Sequence, residues 1–305
     1  MNVVEIENVT KTFGRHVAVN ALTLSVPQGS IYGFIGPNGS GKTTTLRMIM
    51  RIIHPDPGGG RIAVLGQESF RAANDRVGYL PEERGLYRKM KVRDVLRFYA
   101  ELKGRHDLKT APDAWLERMD LVGWSNKRVD TLSKGMAQKV QFIASVIAEP
   151  ELVILDEPFT GLDPVNTDVL REVVLQLRKT GTTIIFSTHD MNMAEKMCDY
   201  IFMIYKGDKV LDGTLASIQD TYGRDTIRVR IEGDGTDLGQ LPGVERVNNF
   251  GQLQELRITP NADPQDILST LIKRGRVGHF ELTKPSLHDI FVRIANPEAV
   301  ETSDA

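Results

Sequence analysis

Ser30–Met50 reads SIYGFIGPNGSGKTTTLRMIM, and the order of its parts decides the fold. SIYGFIG is an apolar run of strand length that passes straight into a glycine-rich loop, and KTTTLRMIMRII continues as a helix. A strand, this loop and a helix in succession match G-x-x-x-x-G-K-[ST] in the context that the pattern requires. Gly36, Gly39 and Gly41 let consecutive backbone N–H groups turn inward around phosphate oxygens, with Pro37, Asn38 and Ser40 filling the loop between them. Lys42 can reach the terminal phosphates, and the Thr43 hydroxyl suits Mg²⁺. Thr44 follows in the first turn, where the helix dipole favours negative charge. The stretch therefore predicts a nucleotide phosphate site at the edge of a sheet.

Working outward, VVEIENV and LTLSV alternate apolar and polar residues as half-buried antiparallel strands do. HPDPGGG is expected to stop the helix after Ile53, and RIAVLG makes another short strand. From about 84 to 148 the texture is amphipathic helix: VRDVLRFYAELKG ends on Gly104 and DAWLERMDLVG on Gly123. ELVILDE and TTIIFSTHD are continuous apolar runs, the pattern of parallel strands buried on both faces, with the helix NTDVLREVVLQLRKTG between them. The expectation is an α/β P-loop domain over 1–220, with an antiparallel β subdomain and a helical insert. After the Gly- and Asp-containing stretch Asp220–Asp225, residues 224–295 read as a small α+β domain of ferredoxin-like order. The tail 296–305 is expected to be disordered.

A chain of 305 residues accommodates a large and a small domain. A net charge of −2 gives no electrostatic reason to expect a nucleic-acid partner. The single cysteine, Cys198, excludes an internal disulfide framework and reads as an inert core thiol. MNVVEIENVT has neither the basic nor the apolar region of a signal peptide, and apolar runs such as YIFMIY are too short to span a bilayer. The chain is expected to be cytosolic, so that any work at a membrane needs spans from another chain.

LVILDE ends a buried strand on adjacent carboxylates, at the end of a parallel strand where α/β folds place ligands. Asp156 is then placed to hold Mg²⁺, and Glu157 to orient and deprotonate the water that attacks a γ-phosphate. His189 ends the next strand and is placed to hydrogen-bond that phosphate. TLSKGMAQKVQ, Thr131–Gln141, opens a second helix suited to an anion, with Thr131 and Ser133 as capping residues and Gly135 allowing close approach.

In chain order, Phe13, GPNGSGKTT, GYLPEE, LSKGMAQKV, LVILDEPFTGLDP and STH resemble the ATP-binding subunits of ABC transporters, across Met1 to about Gln219. PSLHDIFV resembles the end of the accessory domain on exporter ATPases of the ABC-2 type, such as drug or sodium-ion exporters. The resemblance implies that two ATPase subunits face each other, a homodimer being the simplest case. The signature loop of one closes over ATP held by the P-loop of the other. Ser133 and the Gly135 backbone would grip the partner's γ-phosphate, Phe13 would stack on adenine, and Asp163 of TGLDP would bridge the subunits near the catalytic water.

Two features depart from the family pattern. Where the family has Leu-Ser-Gly-Gly-Gln, this chain has Leu132-Ser133-Lys134-Gly135-Met136; Lys134 brings positive charge near a triphosphate, and Met136 lacks an amide that could bond the nucleotide. Glu82, in GYLPEERGLY, stands where the family has a glutamine that contacts Mg²⁺ and the attacking water; a carboxylate can still ligate Mg²⁺. The basic run RGLYRKMKVR is a candidate docking surface for a membrane subunit.

A GTPase reading fails, because NKRVD places Val129 where Asn-Lys-x-Asp needs its aspartate. The resemblance implies an Mg²⁺-dependent ATPase that powers export through a separate membrane-spanning permease, peripheral on the inner face of the cell membrane. The alternative is a soluble, non-transport ABC ATPase of the translation or DNA-repair type. Those carry two ATPase domains in one chain or a long coiled-coil insertion, neither of which is visible here.

Overall fold

The computed structural model describes residues 1–58, 60–68, 74–83, 85–107, 110–232, 237–249 and 251–296. The chain divides into two compact units, Met1–Thr214 and Leu215–Ala305.

The first unit opens with β1 (Asn2–Phe13) and β2 (His16–Pro27), then β3 (Ile31–Ile35), helix α1 (Lys42–Ile49), β4 (Arg61–Val64) and β5 (Val77–Leu80). Helices α2 (Val92–Leu102), α3 (Ala111–Arg118) and α4 (Lys134–Val146) follow. The chain then returns through β6 (Leu152–Leu155), α5 (Pro164–Lys179), β7 (Thr183–Thr188) and α6 (Met191–Met197) to the hairpin β8 (Tyr200–Tyr205) and β9 (Asp208–Gly213). The main sheet has the order β5-β6-β7-β3-β8-β9. Its first four pairings are parallel and the last is antiparallel. Every residue of β3, β6 and β7 is buried, which is why their sequences carry no polar alternation until their carboxyl ends. The sheet β2-β1-β4 is antiparallel. The helices α2 and α4 bury Leu96, Phe142 and Ile143 against Leu155 and Phe186 of the main sheet.

The α1 helix is shorter than the sequence led us to expect. It ends at Ile49, because Arg51 takes a left-handed conformation (φ 55°) while its guanidinium donates to the Ile62 carbonyl at 2.7 Å. That turn feeds the chain back toward β4 before HPDPGGG is reached.

The second unit begins with α7 (Leu215–Tyr222), followed by β10 (Thr226–Glu232), β11 (Val244–Asn249), β12 (Gln254–Ile258), α8 (Pro264–Arg274), β13 (Arg276–Thr283) and α9 (Leu287–Ala295). Its antiparallel sheet has the order β11-β12-β10-β13, the strand order of a ferredoxin-like fold. Among the described residues the first crossover holds only a 3₁₀ turn, Leu238–Gln240, in place of a full helix. Ile267 and Leu271 of α8 close the core against Ile227, Val229 and Leu256. The division falls after Thr214, earlier than the Asp220–Asp225 stretch, because α7 is fastened to the second unit. Gln219 donates to the Pro285 carbonyl at 2.9 Å, and Lys284 pairs with Asp220. Of the tail expected to be disordered, 297–305 lie outside the described residues. Among the described residues, no helix is long and apolar enough to cross a membrane.

Candidate nucleotide site

The loop after β3 is held by backbone geometry that only glycine accommodates. Gly36 (φ 149°), Gly39 (φ 76°) and Gly41 (φ 116°) all have positive φ. A Cβ on Gly36 would run into the Ile204 carbonyl, and one on Gly41 into the Ala18 carbonyl. Lys42, at the first turn of α1, is buried and folds back: its Nζ donates to the carbonyls of Gly36 at 2.7 Å and Pro37 at 3.1 Å. Burial lowers the Lys42 pKa, while the charges of Glu157, Asp156 and Glu82 act the other way.

Register places β6 and β7 beside each other and β3 next to β7, so their carboxyl ends meet at one edge. Asp156 is 1% exposed there. Its Oδ1 accepts from Ser187 Oγ at 2.5 Å and from Thr43 Oγ1 at 3.2 Å. Its Oδ2 is buried with no hydrogen-bond partner among the described residues. A buried carboxylate oxygen is rarely left so, and this one beside the Thr43 hydroxyl suits a hard divalent cation. Burial raises the Asp156 pKa, against the two hydroxyl donors.

Glu157 holds a left-handed backbone (φ 50°), a conformation that costs a non-glycine residue about 1–3 kcal/mol and concentrates at functional sites. The surrounding bonds over-determine it. The backbone N–H of Glu157 donates to Ser187 Oγ at 2.9 Å, and Thr160 Oγ1 donates to Oε2 at 3.2 Å. The Nδ1 of His189 lies 3.1 Å from both carboxylate oxygens, and Lys42 Nζ lies 3.8 Å from Oε1. Ser187 and Thr160 were not among the residues that the sequence pointed to. The one signal for Ser187 was a hydroxyl interrupting an apolar strand.

A cleft of about 440 Å³ opens over this edge, and Phe13, Asn38, Lys42, Thr43, Glu82 and Glu157 line it. Phe13 is 50% exposed, with the Lys11 ammonium 5.3 Å from its ring centre. Glu82 faces the cleft from the loop after β5, and Gln141 of α4 fixes that loop by donating to the carbonyls of Pro81 at 3.2 Å and Glu83 at 3.0 Å. Arg47 of α1 pairs with Glu83 at 3.3 Å.

None of Ser133, Lys134, Gly135, Met136 and Asp163 lines that cleft. Ser133 caps α4, its Oγ accepting from Met136 N–H at 3.3 Å. Thr131 belongs to the preceding 3₁₀ turn, where its hydroxyl donates to Arg128 O at 2.7 Å. Asp163 caps α5, accepting from Asn166 N–H at 3.0 Å. The glycine-rich loop, Asp156, Glu157, His189, Phe13 and Glu82 are therefore gathered at one place, and the helix start at Ser133–Met136 does not line the cleft there.

A glycine-rich strand–loop–helix turn at the carboxyl edge of a parallel sheet, with a buried aspartate and a restrained glutamate facing its lysine, is the arrangement of a P-loop nucleotide hydrolase. The ABC transporter family profile matches residues 19–160, and that of the C-terminal domain of DrrA1-3-like ATP-binding proteins matches residues 213–295. The chain is 41% identical over 289 residues to the ABC transporter ATP-binding protein YhaQ of Bacillus subtilis, covering 94% of this chain and 96% of that one. It is 33% identical over 304 residues to the Nod factor export ATP-binding protein I of Sinorhizobium fredii, covering 97% and 86%. A solved ATP-binding subunit of an ABC transporter superposes with a TM-score of 0.67 at 28% identity, over 72% of this chain and 93% of that one. The chain belongs to the ABC transporter family as an ATP-binding subunit. It is an ATPase whose ATP hydrolysis powers transport.

Proposed function

We propose that this chain powers export through a separate membrane-spanning subunit and works as a pair of copies, each ATP held between two chains. The observation that carries the reading is the position of Glu157, between His189 and the phosphate-loop Lys42 and next to the orphaned oxygen of Asp156. Phe13 stacks on adenine, while backbone N–H groups of residues 36–44 and Lys42 hold the phosphates. Thr43 and Asp156 hold Mg²⁺, with Glu82 facing it, and the ion supplies charge neutralisation to the phosphates when bound. Glu157 takes the proton of the attacking water, and His189 donates to the γ-phosphate.

In the same reading, Ser133 and the Gly135 N–H of one chain close over the γ-phosphate held by its partner, with Asp163 at the seam. Closure on ATP and reopening after hydrolysis supply the movement. The export direction is supported by relatives named for Nod factor export and for linearmycin resistance. The exposed Arg88, Lys89 and Lys91, beside the apolar groove of Leu86, Tyr99 and Leu102, make the surface offered to the membrane subunit. The chain accordingly sits on the inner face of the membrane through that partner.

Purification of the tagged chain from detergent-solubilised membranes of its own cells tests this reading. A stoichiometric multi-spanning protein is expected to accompany it. Ribosomes, DNA-repair proteins or no membrane partner would instead support a non-transport ABC ATPase.

A further inference from the structure

The amino-terminal turns of α4 hold the loop that follows Glu157. A Cβ placed on Gly161 (φ 79°) would lie 2.6 Å from Lys134 Cε, 2.9 Å from Nζ and 3.2 Å from Cδ, so the lysine stem lies flat against this glycine. Next to it, Leu162 Cδ2 comes within 3.5 Å of the Cβ position of Gly135. One turn further on, Gln138 Nε2 donates to the Pro158 carbonyl at 3.1 Å, and Lys139 Nζ donates to Asn166 Oδ1 at 2.8 Å. Residues 134, 135, 138 and 139 share one face of a helix. That face grips the loop at Pro158, Gly161, Leu162 and Asn166.

The grip leads directly to the general base. Thr160, next to Gly161, donates to Glu157 Oε2 at 3.2 Å. The Gln138 and Lys139 side chains are buried, and their bonds fix the middle and the far end of the grip. Lys134 is exposed, carries no hydrogen bond or ion pair among the described residues, and yet is laid along Gly161. Its contact with Gly161 runs along the outer stem, Cδ and Cε, with Nζ beside them. Lys134 also directly follows Ser133, at the tip of the helix that, on the two-chain reading, meets the partner's ATP.

We propose that Lys134 is a positioning residue that couples the two ATP sites: its stem on Gly161 transmits movement of the Ser133–Gly135 tip, through Thr160, to Glu157 of the same chain. The inference rests on the two-chain reading given above. Occupation of one site then sets the base of the other, and ATP hydrolysis is cooperative through packing, with no role for the ammonium charge.

The test measures ATPase rate against ATP concentration for the wild type, Lys134→Ala and Lys134→Met, with nucleotide binding to each followed separately. The wild type is expected to show a Hill coefficient approaching about 2, the number of sites. Lys134→Ala, which keeps helix propensity but removes the stem, is expected to fall to about 1 with its ATP affinity little changed. Lys134→Met restores an unbranched stem without charge and is expected to recover cooperativity. A Lys134→Met result equal to Lys134→Ala would overturn the proposal in favour of a charge acting on phosphate. Wild-type cooperativity in Lys134→Ala, or none in the wild type, would overturn it as well. Gel filtration of Glu157→Gln with ATP separates the two levels: a chain that stays monomeric removes the two-chain reading itself, whereas a dimer with unaltered Lys134→Ala kinetics removes only the coupling.

Discussion

His189 Nδ1 lies 3.1 Å from each carboxylate oxygen of Glu157, so one ring nitrogen is shared symmetrically by the two oxygens of the proposed base. With Thr160 on Oε2 and Lys42 at 3.8 Å from Oε1, the carboxylate is held beside the lysine of the glycine-rich loop by three side chains. In the proposed role of Glu157, such restraint lowers the cost of orienting the base during reaction. Glu157→Gln preserves shape and hydrogen-bonding reach but cannot accept the proton of water. We expect ATP binding to persist while turnover falls by about 10²–10⁴-fold, with the closed dimer accumulating. Equal ATPase rates in the variant and the wild type would remove Glu157 from its assigned role.

Ser187 joins the two acids: its hydroxyl donates to Asp156 and accepts from the Glu157 N–H, in a fully buried position of β7. Ser187→Ala leaves a buried N–H without its partner, and such a loss costs about 1–3 kcal/mol. For a unit of this size that lowers Tm by roughly 2–12 °C. Thermal unfolding and kcat measured together check the expectation that turnover drops more than ATP affinity. A variant with unchanged melting and unchanged kcat would show that the bridge is dispensable.

Burial raises the pKa of Asp156 above the ordinary value of 3.8, so the folded protein holds that proton more tightly than the unfolded chain does. The stability it contributes is fully present below 3.8 and is lost as pH rises through the raised folded value, leaving the ionised site under strain at neutral pH. Asp156→Asn is therefore expected to raise the Tm of the nucleotide-free protein at neutral pH by a few degrees. The same change is expected to abolish the further rise that Mg²⁺ with ATP gives the wild type. Melting curves with and without Mg²⁺ and ATP decide it, and a lowered nucleotide-free Tm in the variant would contradict the account.

The phosphate loop, the buried strands and the alternation of strand and helix were legible because each is written locally, as glycine spacing or apolar period. The adjacency of Asp156 to Glu157, and of His189 to a strand end, could also be read along the chain. Thr160 and Ser187 could not: their hydroxyls reach the acids only through the parallel register of β6 with β7 and the tight turn after Glu157. The early end of α1 depends on Arg51 finding the Ile62 carbonyl, a contact across the strand connection that no local propensity encodes. That the Lys134 stem lies on Gly161 could not be read either, because that glycine is 27 residues away in sequence and close only in the fold.

The central claim, that each ATP is held by the phosphate loop of one chain and the Ser133 tip of another, is tested most directly by mixing two inactive chains. Lys42→Ala destroys the phosphate grip and spares the tip, while Ser133→Arg obstructs the tip and spares the phosphate grip. Each variant alone is expected to lack turnover. Mixed, they form dimers in which one of the two sites has both intact halves, and ATPase activity is expected to return. A mixture as inactive as its components, with mixed dimers shown to be present, would contradict the shared site.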